Sequence, residues 1–213
     1  MTNKTVRQKR DAIHENIRNA AIREFARDGL SGTSTQAIAR AAGITKAQLH
    51  YYISSKDDLY QQVLGQIISQ WKDIFFLSAA LPDDPRAVIS DYVYRKIRHA
   101  LEFPDAARVF SHEVARGAPQ LAPYWPEMRR ATEEAAKVIQ GWIDRGKIRP
   151  VDPLLFQMNL WAVTQHYADY ETQARVMLGT PPDAPLDEAR IATEAVALFL
   201  GRCGLLDDER TIR

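Results

Sequence analysis

Residues 33–56, TSTQAIARAAGITKAQLHYYISSK, constrain this 213-residue chain more than any other stretch. Thr33 stands three positions before Gln36, a spacing that lets each side chain satisfy an orphan backbone N–H at a helix start. Ile38, Ala39 and Ala42 then make a small apolar face, and Gly43 ends the helix where positive φ is needed. Ile44 is expected to plug the space between two helices. Thr45 opens the second helix with Gln48 as its reciprocal partner, and Leu49 turns inward. The spacing therefore predicts a helix, a tight turn, a second helix and a basic exit at Lys56.

The residues this pattern turns outward suit a major groove. Lys46, Ala47, Gln48 and His50 project near the N-terminal end of the second helix, the part of a helix-turn-helix that meets base edges. Gln48 has the atoms to pair with adenine, Lys46 to reach guanine acceptors or a phosphate, and the Ala47 methyl to touch a thymine methyl. Tyr51 and Lys56 suit phosphate anchoring, which fixes register without reading sequence. With Thr33 and Thr45 at the two helix starts, these residues form the candidate DNA-contact set. The competing reading is a solvated amphipathic helix pair inside an all-helical bundle. Two capping pairs, a glycine turn and a basic exit in one segment favour the DNA reader.

Charge supports the same reading once the chain is divided. The formal net charge is +1, but residues 1–56 carry 10 Lys+Arg against 4 Asp+Glu, a net of +6, and residues 57–213 carry 18 against 23, a net of −5. A basic head on an acidic body suits a protein that docks one end on nucleic acid. A first helix is expected from Val6 to Asp28, with Ile13, Ile17, Ala21 and Phe25 on one stripe and Gly29 as its end. Lys4, Arg7, Lys9 and Arg10 precede or open it as a basic arm, a solubilising tail or a clamp on DNA.

The segment resembles the N-terminal domain of the tetracycline-repressor (TetR) family, whose three-helix unit ends in a Tyr-x-Phe-x-Ser-Lys-type exit. Here the exit is Tyr51-Tyr52-Ile53-Ser54-Ser55-Lys56, with Ile53 in place of the usual Phe and Ser54 where Pro is frequent. The resemblance covers roughly residues 10–60. It implies a cytoplasmic, homodimeric, ligand-responsive transcriptional regulator that binds double-stranded operator DNA.

Beyond Lys56 the chain reads as further helices: Ser55 to Leu77, a second to about Glu102 after the break at Leu81–Pro85, and a third from Pro104 to near Gly117. Residues 123–145, 154–178 and 186–205 complete the series. No window alternates like a strand, so the fold class is all-α, with a helix-turn-helix domain over 1–56 and a helical effector-binding and dimerisation domain over 57–213. One cysteine, Cys203, excludes an internal disulfide framework and fits a reducing compartment. The N-terminus is too polar for a signal peptide, and no apolar run approaches the ~18 residues of a membrane span.

Residues 154–178 are apolar on more than one side: Leu154, Leu155, Phe156, Met158, Leu160, Trp161, Val163 and Tyr167. A central core helix explains such a pattern. Helix-turn-helix readers, however, work as pairs spaced ~34 Å along the duplex, so a two-fold dimer built from C-terminal helices accounts better for the surplus. Within this stretch, Trp161-Ala162-Val163-Thr164-Gln165-His166-Tyr167-Ala168-Asp169-Tyr170 resembles the pyrimidine-utilisation regulators of the family. Asp152-Pro153, Gly141-Trp142, Gly146-Lys147, Arg108-Val109-Phe110, Gly117-Ala118-Pro119 and Trp71 fit that group too. The resemblance implies uracil or thymine as effector and places Trp71, Trp161 and Gln165 at its pocket. The chemistry is coherent: a carboxamide donates and accepts at once, and indoles offer stacking walls. On residue type alone, the tryptophans read equally as core and Gln165 as a helix-to-helix hydrogen bond.

The remaining candidates carry less. His112-Glu113 lacks the second histidine of a zinc-protease motif, because Arg116 occupies that position. His166 and Asp169 are too few for a metal, and are expected to orient each other or flank the pocket. His99 and His14 read as surface residues. No catalytic set, metal or cofactor is expected. The alternatives to a pyrimidine-responsive repressor are a regulator of another small planar or hydrophobic ligand, and a small all-helical enzyme or carrier using Gln165, His166 and Asp169.

Overall fold

The computed structural model describes the backbone of residues 2–75 and 82–206, and the side chains of 7–72 and 82–206. The expected helix end at Leu77, the break at Leu81 and the side chains of Lys4 and Ile74 lie outside the described residues. Among those residues the chain is all-α: α1 (Thr2–Gly32), α2 (Thr35–Ala41), α3 (Lys46–Tyr52), α4 (Lys56–Phe75), α5 (Pro85–Glu102), α6 (Pro104–Ala115), a 3-10 turn (Pro119–Leu121), α7 (Trp125–Asp144), α8 (Pro153–Asp169), α9 (Glu171–Leu178) and α10 (Glu188–Cys203). They divide into two compact units, Met1–Gln70 with Asp105–Pro123, and Trp71–Pro104 with Tyr124–Arg213.

In the first unit the apolar stripe of α1, Ile17, Ala21 and Phe25, is buried, as are Ile38 and Ala39 of α2, Leu49 of α3 and Leu59, Val63 and Ile67 of α4. Phe25 meets the ring of Tyr60 edge-on, centroids 4.9 Å apart. Gly29 interrupts α1 with φ 66°, ψ 177°, a conformation open to glycine, so helical geometry stops where expected and a short turn carries the chain to Gly32. α6 belongs to this unit through Glu113, which is 0% exposed. Its carboxylate accepts the Tyr60 hydroxyl at 3.1 Å, the Arg116 Nε–H at 2.6 Å and the Gln120 backbone N–H at 2.6 Å. A buried carboxylate is tolerable only with such a set of donors. Burial and the Glu113 charge together push the Tyr60 hydroxyl pKa upward.

The second unit is built on capped helices. Asp84 accepts from Ala87 N–H ahead of Pro85, Asp152 from Leu154 and Leu155 N–H ahead of Pro153, and Asp187 from Arg190 N–H. Its core gathers Val88, Tyr92 and Val93 of α5, Ile139 and Trp142 of α7, Phe156 and Leu160 of α8 and Ala192 and Phe199 of α10. The expected single helix over 154–178 is two. Tyr170, at φ −117° and ψ 32°, separates α8 from α9, with no glycine or proline to mark the break. No described helix is long and apolar enough to cross a membrane.

Candidate functional site

The helix-turn-helix assembles from local chemistry. Gly43 takes φ 69° at the turn, and the Ile44 N–H donates to Ala39 O at 3.0 Å. At the head of α3 the Thr45 hydroxyl accepts the Gln48 N–H at 3.1 Å, and the Gln48 Oε1 accepts the Thr45 N–H at 2.8 Å, the reciprocal cap expected from their spacing. Leu49 is buried, and Thr45, Lys46, Ala47, Gln48 and His50 are exposed around it. Tyr51 is 81% exposed. This surface has donors, an acceptor and a methyl group within one helical turn and a half, the equipment of a groove reader.

Two of the expected contacts are placed elsewhere. The cap of α2 is Ser34, whose hydroxyl accepts the Ala37 N–H at 3.1 Å; Thr33 is 2% exposed and donates instead to Gly29 O at 2.7 Å and Glu24 O at 3.0 Å. The Lys56 ammonium donates to Leu30 O at 2.7 Å and Thr33 O at 2.8 Å, so it ties α4 to the carbonyls after α1. Both residues serve the frame of the reader. Gln48 is committed to the cap through its oxygen, which leaves its amide N–H groups for any base. His14, expected at the surface, is half-buried with its ring edge-on to Tyr52.

In the second unit, Trp71, Trp161 and Gln165 each interact with polar side chains of α5 or α8. The Lys96 ammonium lies 5.1 Å from the centroid of the Trp71 ring, a cation–π distance. Lys96 is only 8% exposed, and the charge of Asp169 favours its protonated form. Asp169 Oδ1 accepts from the Gln165 amide at 3.2 Å, and the Trp161 indole N–H donates to the Tyr92 hydroxyl at 3.1 Å. Tyr92 and Lys96 are four apart on α5, hence on one face. His99, expected at the surface, is half-buried between Trp71 and Phe103, with ring centroids at 6.2 and 5.2 Å.

The electrostatics follow from this enclosure. Burial pulls the Lys96 pKa from 10.5 down to about 8, with the attraction of Asp169 opposing the fall. Burial and the Lys96 charge hold His99 neutral, its pKa down at about 4. Burial pushes the Tyr92 hydroxyl up to about 12. His166 does not orient Asp169: it stacks on Tyr170 with centroids at 5.3 Å, and lines a half-open cavity of about 330 Å³ with Gln173, Met177 and Arg190. Cys203 is buried, and burial raises its thiol pKa to about 11, the setting of an inert cysteine.

Lys96, Tyr92 and His99 were missed from sequence. Lys96 left a signal nonetheless, since it sits at helical spacing among Val88, Tyr92, Val93, Ile97 and Ala100, where a lysine interrupts an otherwise apolar stripe.

Known proteins bear on both halves of this geometry. The model of bacterial regulatory proteins of the tetR family matches residues 17–63, and that of the YcdC-like protein C-terminal region matches residues 64–205. The chain belongs to the TetR family. It is 36% identical over 165 residues to the HTH-type transcriptional regulator RutR of Escherichia coli K12, an alignment covering 76% of this chain and 77% of the relative. The HTH-type transcriptional repressor SCO4008 of Streptomyces coelicolor is 26% identical over 159 residues, 72% of this chain and 79% of that one. Among solved structures, AibR in complex with isovaleryl coenzyme A and operator DNA superposes with a TM-score of 0.69 at 19% identity, covering 87% of this chain and 97% of its own. The ketosteroid regulator KstR2 of Mycobacterium tuberculosis gives 0.69 at 18% identity, covering 92% and 95%. These two establish the shared fold. The family makes this protein a ligand-responsive, DNA-binding transcriptional regulator.

Proposed function

We propose that this TetR-family protein is a cytoplasmic, homodimeric repressor whose effector is a pyrimidine such as uracil or thymine. Residues 1–56 carry DNA binding and residues 57–213 carry effector binding and dimerisation. On double-stranded operator DNA, Lys46, Ala47 and Gln48 of α3 meet bases, while His50 and Tyr51 secure the backbone. The observations that carry the effector reading are the Lys96 ammonium over Trp71, the electrostatic pull of Asp169 on Lys96, the Gln165–Asp169 hydrogen bond and the Trp161–Tyr92 hydrogen bond, all on α4, α5 and α8. They offer flat apolar walls with a few polar groups, the make-up of a small planar-ligand site. The resemblance of residues 161–170 to pyrimidine-utilisation regulators supports the same ligand.

Dimerisation is supported by apolar side chains left at the surface of the second unit: Leu154, Leu155 and Met158 on α8, Met177 on α9 and Leu198 on α10. Gating requires that the effector bind DNA-competent and incompetent dimers unequally. α4, with Lys56 in the first unit and Trp71 in the second, is the natural route for that difference. Calorimetry with uracil and thymine tests the site. Binding that Gln165→Ala abolishes is the expected result, and unaltered binding in that variant would remove Gln165 from the pocket.

A further inference from the structure

Helix α1 overruns the apolar core of its unit. Ile17 is the first buried side chain among those described, yet the helix reaches back to Thr2, and the turns ahead of Ile17 carry Arg7, Lys9 and Arg10, all exposed. Arg7, Arg10 and His14 recur at spacings of three and four, so they share one side of the helix. Lys9 stands about 140° round from His14 at 3.6 residues per turn, on the far side.

His14 shows which side the arginines occupy. Its ring meets Tyr52, the last residue of α3, edge-on with centroids 5.3 Å apart, and Tyr52 meets Tyr51 in the same way at 5.1 Å. The arginine stripe therefore runs outward from the end of the reader helix, with Arg10 about 6 Å and Arg7 about 10 Å along the α1 axis from His14. Nothing in the chain occupies these two side chains. Among the described residues neither guanidinium has an ion pair or hydrogen bond, although Asp11 stands four residues after Arg7, a spacing at which helical pairs form. A duplex seated on α3 supplies the missing anions. Its major groove is ~12 Å wide, and the strands that border it carry one phosphate charge per ~1.7 Å of axis.

We propose that Arg7 and Arg10 form a second DNA contact, a helical clamp on the phosphates beside the groove that α3 reads. An arginine fork meets phosphate oxygens through two parallel N–H donors, which suits it to that role. The clamp rests on DNA binding through α3 and adds affinity and register without choosing bases.

The test is fluorescence anisotropy of the full chain over a salt series, on duplex from upstream of its own coding region and on a duplex of scrambled sequence. Arg7→Ala and Arg10→Ala should each lower the slope of log affinity against log salt by about 0.9, and the double variant by about 1.8. Raising the salt from about 50 to about 200 mM then weakens wild type about tenfold more than the double variant, by the same factor on both duplexes. Lys9→Ala removes the same charge from the far side of α1 and should leave the slope at its wild-type value. Matching cooperative melts establish that the variants fold. A wild-type slope in the double variant, an equal fall in slope for Lys9→Ala and Arg10→Ala, or a loss confined to the upstream duplex overturns the clamp and leaves α3 as the reader. Failure of the wild type to bind either duplex at low salt overturns DNA reading by α3 and the clamp together.

Discussion

Replacing Lys96 with methionine should make this protein more stable. The lysine is 8% exposed and its pKa falls from 10.5 to about 8, so the folded chain holds that ammonium at a cost of about 3 kcal/mol near neutral pH. Burial is the main cause and the Asp169 attraction only reduces it. Methionine fills nearly the same volume without a charge, but forfeits the cation–π contact with Trp71, on the order of 1–2 kcal/mol when desolvated. A net gain of about 1–2 kcal/mol remains, or about 2–8 °C in a thermal melt at matched protomer concentration. The pH dependence makes the prediction specific. Between about pH 8 and 10.5 the unfolded chain binds the Lys96 proton more tightly than the folded chain, so wild-type stability rises with pH through that window. The advantage of Lys96→Met should therefore be full below pH 8, fall by about 3 kcal/mol toward pH 10.5 and change sign within the window. Within the cluster, burial puts the folded-state pKa of His99 at about 4 and that of Tyr92 at about 12, both outside this window. A variant that melts at or below the wild type, or a difference independent of pH, would refute the argument.

Other residues make sharper local tests. His99→Gln should flatten an acid-side loss of stability between pH 6.5 and 4, where the unfolded histidine takes up a proton the half-buried one refuses; after solvent screening this is about 1–2 kcal/mol, read from urea melts. Glu113→Gln should cost about 2–4 kcal/mol in chemical denaturation, because the buried acceptor of Tyr60, Arg116 and Gln120 loses its charge. Thr45→Ala removes the hydroxyl half of the α3 cap and should cost about 1 kcal/mol. Lys46→Ala should weaken operator binding and reduce the slope of log affinity against log salt by about one if it meets a phosphate; an unchanged slope would assign it to a base.

What was legible in the sequence was mostly local. The Thr45–Gln48 cap and the Gly43 turn depend on spacings of three residues and one positive φ, and both stand as expected. Thr33 shows the limit of such reasoning: Ser34 beside it offers an equivalent hydroxyl, and only the packing of α1 decides which one points inward. The place of Lys56 at the basic exit suggests a phosphate anchor, whereas its carbonyl partners, Leu30 and Thr33, stand more than twenty residues away in sequence. The break at Tyr170 has no local breaker, so periodicity ran straight through it. Trp71 and Gln165 were found through resemblance. Lys96 was hidden because a single lysine on a helix is read by default as solvated.

The central claim is that a pyrimidine held in the second unit controls DNA occupancy through the first. Fluorescence anisotropy of wild type and Gln165→Ala on DNA from upstream of its own coding region, with and without saturating uracil, tests it most directly. A change of about five- to 150-fold in operator affinity in the wild type, absent in the variant, is the result predicted for a coupling of ordinary size. Operator affinity that is the same with and without uracil and thymine would contradict it.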